Sequence, residues 1–217
     1  MRPIVRSAEP SAFTAWKALG SSDWQPSWDN FQRPQKTEVL EALLRDQGFV
    51  CCYCEQRVDA RGGSHIEHLQ SRHSAPSLAL EFTNLLASCQ GDLPRAPAHC
   101  GHLKGYTALE VQPLMADCRA FFLFDSAGGV RPSDDPARTQ AAQRAIATLG
   151  LDIRKLTAMR RAAIDGALTL FEEGASDEEI RQLIAFIDSR NEEGHYTPFA
   201  SAVVQVLVRY LVPAPGA

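Results

Sequence analysis

Long apolar runs are absent from this chain of 217 residues: nothing in it supplies the roughly 20 apolar residues of a membrane-spanning helix. The opening Met1-Arg2-Pro3-Ile4-Val5-Arg6-Ser7 lacks the apolar stretch of a secretory signal. A cytoplasmic location with no membrane association is therefore expected. Positive charge is scarce as well. Twenty-two Lys and Arg stand against 26 Asp and Glu, for a formal net charge of -4 and a pI near 5.9. That balance excludes a protein coated in positive charge, so any grip on nucleic acid must come from a local patch or through a partner. Repeats and low-complexity tracts are lacking too, apart from a short Pro-Ala-Pro-Gly-Ala tail, which argues against solenoids and arrays.

What is present suits one medium-sized unit with a real core, since 45% of residues are hydrophobic and 22% charged. Helical patterning covers Ser11 to Leu19 and Pro34 to Gln47, where Val39, Leu40, Leu43 and Leu44 form a buried stripe and Gly48 is placed to end the helix. Between them, the segment from Trp24 to Asn30 reads as an ordered loop whose tryptophans have a packing role. Ala120 to Phe124, a glycine-containing turn from Asp125 to Gly129, and Val130 predict a hairpin. The remainder reads as helical. Ala137 to Leu149 is alanine-rich, Asp152 is an expected N-cap for a helix running to about Glu173, Ser176 to Glu179 is a capping-box pattern, and Pro198 suits the first turn of a last helix.

Six cysteines in a reducing compartment are poor candidates for three disulfides, and four of them have metal-ligand spacing. Cys51 and Cys54 stand two residues apart, and Cys89 with Cys100 complete a tetrahedral set for a closed, structural Zn2+ site. The ten residues between Cys89 and Cys100 are more than a compact knuckle needs. His99 and His102 remain alternative nitrogen ligands and Cys52 an alternative to Cys51, while Cys118 reads as a core thiol. Glu67 and His68 pair a carboxylate for a hard cation with an imidazole able to take a proton from water, as metal-assisted phosphodiester hydrolysis requires. The amide of Asn84 is suited to bridging backbone groups, and Lys104 is either a phosphate contact or a solvated helix residue.

Taken together, Cys51-x-x-Cys54, Glu67-His68, Asn84, Cys89, Cys100 and Lys104 resemble the HNH nucleases of the His-Me finger, or ββα-metal, superfamily. More narrowly, the strings Gln47 to Glu55, His65 to His68, Asn84 to Cys89 and Cys100 to Gly105 are similar to the PtuB family, the HNH subunits of Septu-type antiphage defence systems, whose relatives serve as effectors in some retron systems. The resemblance implies His68 as general base, Asn84 steadying the hairpin, Glu67 helping to hold a catalytic Mg2+ or Mn2+, and a zinc held by four cysteines. It also implies a partner, a PtuA-like ATPase, and a nucleic acid substrate, DNA before RNA. The family's final histidine directly follows the last knuckle cysteine, but here that place is Gly101. His102 is then the expected second ligand of the catalytic cation, with His65, on the same strand face as Glu67, as the other candidate.

The expected fold class is α+β, a zinc-stapled ββα-metal (HNH) core with mainly helical N- and C-terminal flanks. Its regions are 1–47, a helical N-terminal segment; 48–105, the nuclease core; 106–135, a small β hairpin region; and 136–217, a helical C-terminal region. Arg154, Lys155, Arg160 and Arg161 read as a solvated basic face, and the acids from Glu172 to Glu179 as a partner surface rather than a nucleic-acid one. Two other readings compete: an RNA nuclease, for instance of transfer RNA, with the same site, and a non-catalytic zinc-stabilised binding module.

Overall fold

The computed structural model describes residues 1–89, 97–170 and 175–211, and shows a mixed helical and strand architecture with two separate two-stranded sheets. Helix α1 (Ser11–Lys17) buries Phe13 and Trp16. These rings pack on Phe31, at 4.8 and 5.3 Å between centroids. Helix α2 (Gln35–Asp46) buries Val39, Ala42, Leu43 and Leu44 and stops where Gly48 takes φ +61°, a conformation open to glycine at low cost. Just past it, the buried Gln47 amide donates to Val50 O and Ala87 O, while its Oε1 accepts from Ala87 N. One side chain thus ties the end of α2 to the neighbouring sheet.

That sheet is an antiparallel pair, β1 (Ser64–His68) and β2 (Leu85–Cys89), with Ser64 opposite Cys89 and His68 opposite Leu85. Helix α3 (Gly101–Lys104) follows. A second hairpin joins β3 (Phe122–Phe124) to β4 (Val130–Pro132), as the glycine-containing turn predicts. Four further α-helices follow among the described residues: α4 (Pro136–Leu149), α5 (Arg154–Leu168), α6 (Asp177–Asp188) and α7 (Ala200–Leu207). Ser176 and Glu179 make the reciprocal capping box that the sequence predicts. One core of buried side chains runs from Met1 through β2 and α4 to Leu207.

Three local expectations are corrected. Asp152 does not cap α5; the N-cap is Ile153, without a side-chain bond, and residues 171–174, where that helix was expected to end, lie outside the described set. Pro198 precedes α7 rather than entering it, because Phe199, in the left-handed region at φ 57°, is the N-cap and its N–H donates to Glu55 O. Arg160 is not on a solvated face. It is 2% exposed, with Nε donating to Gly128 O and an Nη to Leu151 O. The loop tryptophans have the packing role expected of them: Trp24 meets Trp16 edge-on at 5.8 Å, and the half-buried Trp28 packs on Phe31 at 5.5 Å.

Candidate functional site

Three segments deliver the four thiols. Cys51 and Cys54 sit on a tight turn in which Cys51 N donates to Gln56 O and Val50 bridges Arg57. Cys89 ends β2, and Cys100 is the N-cap of α3, its N–H donating to Leu149 O. All four are buried, and their Sγ atoms lie within 4.8 Å of one another. Cys54 and Cys89 are 3.9 Å apart, close to the about 3.8 Å edge of a tetrahedron with zinc–sulfur bonds of about 2.3 Å. The donor set therefore fits a structural Zn2+. Cys52 is not among the four; its N–H donates to Ala87 O, and its buried thiol lies beside that of Cys51. His99, fully buried, places Nδ1 3.2 Å from Cys100 Sγ and 3.6 Å from Cys89 Sγ, beside the thiols rather than in place of one. Cys118 is a core thiol, pushed up to about 11 by burial.

The thiols do not titrate independently. Burial opposes ionisation of Cys51, yet hydrogen bonds from Cys100, Cys52, Cys54 and Cys89 hold it well below an ordinary thiol. Burial pushes Cys54 and Cys100 up. A cluster that already concentrates negative charge on sulfur suits a soft dication, whose binding displaces the remaining thiol protons.

Beside these thiols, His65 to His68 of β1 line a cleft of ≈ 430 Å³ whose walls also include Trp28, Arg72 and His102. Glu67 is 7% exposed and its two oxygens are used differently. Oε1 accepts from Lys104 Nζ at 2.8 Å and from the Tyr53 hydroxyl at 3.2 Å, while Oε2 lies 3.6 Å from His65 Nε2. Burial alone would raise this carboxyl, but His65 and Lys104 outweigh it and hold it below the usual value. The rings of His65 and His102 stand 4.4 Å apart. Gly101 explains how they approach: a Cβ there would sit 2.5 Å from Glu67 Oε2 and 2.8 Å from His65 Nε2. The space beside Gly101 is thus filled from the side by Glu67 and His65.

Among the described residues the four thiols are the group placed to hold a metal ion, and His65, Glu67 and His102 do not form a second.

His68 donates from Nε2 to Ala79 O at 3.1 Å. A carbonyl can only accept, so Nε2 carries the proton and Nδ1 of the neutral ring keeps its lone pair. Burial, chiefly, lowers the His68 pKa, with Arg72 adding to it, so the ring is a free base at neutral pH. Asn84 holds the loop that positions this carbonyl. Its Oδ1 accepts from Gln70 N at 2.8 Å, and its Nδ2 donates to Gln70 O at 3.0 Å and Leu78 O at 3.1 Å.

Lys104 is a correction. The phosphate contact expected of it is not available, because its side chain is 1% exposed and occupied with Glu67 and with His68 O at 2.9 Å. It is a strut between the two residues of the Glu-His pair. Two participants were missed from sequence. Tyr53 sits inside the Cys-x-x-Cys turn, where its residue type was a usable signal. Trp28, whose ring meets His68 at 4.3 Å and 72°, lies 40 positions upstream and carries no local signal at all. No known protein-family profile matches the chain, and no curated protein matches it.

Proposed function

We propose that this chain is a metal-dependent HNH-type endonuclease that hydrolyses phosphodiester bonds in nucleic acid, DNA in preference to RNA, as the effector subunit of an antiphage defence complex with a PtuA-like ATPase. The observation that carries the reading is the His68 imidazole, fixed through Nε2 on the Ala79 carbonyl, beside a carboxylate with one anchored and one presented oxygen. The order β1, β2, α3, with thiols at the end of β2 and the start of α3, supports a ββα-metal core. The net charge of -4 supports delivery to nucleic acid by a partner.

In this reading His68 Nδ1 takes the proton from a water placed in line with the scissile bond. Asn84 keeps the 70–79 loop in place so that the ring cannot turn. Lys104 and Tyr53 hold Glu67 so that its Oε2 stays directed at the cleft with His65 and His102. A divalent cation bound there would withdraw charge from the phosphate and stabilise the leaving oxygen. Cys51, Cys54, Cys89 and Cys100 hold Zn2+ as a structural clamp.

The test is cleavage of plasmid, single-stranded DNA and total RNA by the chain with its ATPase partner, in Mg2+ or Mn2+. His68→Ala is expected to abolish cleavage without lowering the melting temperature by more than a few degrees. Equal cleavage by His68→Ala would sink the proposal, and cleavage of RNA alone would move the substrate to the other polymer.

A further inference from the structure

Burial of Lys104 leaves the proposed reaction without a cation from α3 to meet the phosphate, and the cleft supplies one from another direction. Arg72 is exposed, lines the same cleft as His68, and stands with its guanidinium carbon 5.0 Å from the centre of the Trp28 ring. Lys36 Nζ, from α2, lies 5.0 Å from the same centre. Trp28 in turn meets His68 edge-on. One indole therefore gathers two cations beside the imidazole.

A second groove, of ≈ 950 Å³, continues from this point and shares Trp28, His65 and Ile66 with the first. Its cations are Arg33, Lys36 and Arg61, and its acid is Glu41. Among the described residues none of Arg33, Lys36, Arg61 and Arg72 is ion-paired, whereas Arg2, Arg119, Arg131, Arg138 and Arg144 each have a carboxylate partner. Arg45, Arg57, Arg154, Arg190 and Arg209 also lack a carboxylate partner among the described residues, but of these unpaired cations Arg33, Lys36, Arg61 and Arg72 are the ones that line the path past His68.

Resting on the proposed nuclease reading, we infer that Trp28, Arg72 and Lys36 form a phosphate clamp, which seats a sugar-phosphate strand along this double groove with its scissile phosphate at His68. Arg72 and Lys36 make the phosphate contacts. Trp28 is a positioning residue: its π face holds both cations toward the cleft, which an aliphatic side chain would not do.

The experiment measures binding, not cleavage. All variants are built in the His68→Ala background, and anisotropy of a fluorescein-labelled single-stranded oligodeoxynucleotide, or of its oligoribonucleotide counterpart, is followed across a salt series. Arg72→Gln and Lys36→Gln are each expected to weaken binding about threefold to tenfold and to reduce the salt slope by about 0.7 per lost contact. Trp28→Ala should resemble the double Arg72/Lys36 variant, and Trp28→Phe, which keeps a π face and the packing on Phe31, should recover most of the loss. Arg181→Gln, on α6 and paired with Asp177, should change nothing. Unaltered affinity and slope in Arg72→Gln and Lys36→Gln would overturn the clamp, as would an equal effect of Arg181→Gln or a failure of both oligonucleotides to bind. The nuclease reading is judged separately, by cleavage with His68 intact.

Discussion

Gly101→Ala separates geometry from stability at the proposed cation site. The new Cβ would lie 2.5 Å from Glu67 Oε2 and 2.8 Å from His65 Nε2, about 1 Å inside comfortable contact. Both atoms are ends of side chains, so they yield before the backbone does. Glu67 cannot simply retreat, since its Oε1 is held by Lys104 and Tyr53; the carboxylate has to pivot about that anchored oxygen and swing Oε2 away from His65. Overpacking of this kind costs about 1–3 kcal/mol, offset by up to about 1 kcal/mol from replacing a helical glycine. The net loss of stability should be about 1–2 kcal/mol. A displacement of about 1 Å at a reacting centre costs on the order of 10²-fold in rate. Single-turnover cleavage in Mn2+, run alongside thermal melting and zinc analysis, reads both. A variant that keeps its zinc and its fold yet cleaves about a hundredfold more slowly is the expected result. Activity within about threefold of the parent would refute the assignment of His65 and Glu67 to one cation site.

Three further outcomes follow from the same geometry. Lys104→Met strands the Glu67 carboxylate in a buried position and should cost about 3–5 kcal/mol in denaturant unfolding, while the double change with Glu67→Gln should recover most of it; equal losses in both would show that the pair is not coupled. Cys54→Ser should purify with less than one zinc per chain by elemental analysis, and Cys118→Ser, remote from the cluster, should retain its metal. Asp188 takes two bonds from Arg119 and one from Arg2; burial raises its carboxyl, but these arginines outweigh it and hold the pKa below the ordinary value. The unfolded chain therefore binds this proton more readily, so the contribution is present above pH about 4 and fades as the pH falls below it. Melting curves of Asp188→Asn should accordingly fall furthest below the parent near neutral pH and converge with it in acid.

Local signals were readable where the decisive contacts are local. The capping box at Ser176, the hairpin of β3 and β4, the helix ending at Gly48 and the convergence of Cys51, Cys54, Cys89 and Cys100 all follow from residue types at fixed spacing. The bridging role of Asn84 was legible too, since a single amide beside a strand has few other uses. What failed depended on distant chain. Lys104 is buried because Glu67 and the His68 carbonyl, more than 30 positions away, neutralise it. Arg160 turns inward because Gly128 and Leu151 offer carbonyls without donors of their own nearby. Phe199 displaces Pro198 as the start of α7 because its N–H and that of Ser201 both end on Glu55. Trp28 joins His68 by the path of a loop that no periodicity describes.

The last helix is fastened to the middle of the chain at several points. Tyr196 N donates to Gly48 O, Arg57 to Tyr196 O, Arg190 to Arg45 O and Asp46 O, and the buried Glu55 takes the two N–H groups that open α7. Glu55 follows Cys54 directly, so the turn that supplies two of the sulfurs is braced from behind by residues nearly 150 positions later. A fragment trimmed to residues 48–105 would lose α7 and leave Glu55 without the N–H groups of Phe199 and Ser201. The proposed nuclease core is accordingly not a cassette that can be lifted out and grafted elsewhere; it travels with its tail.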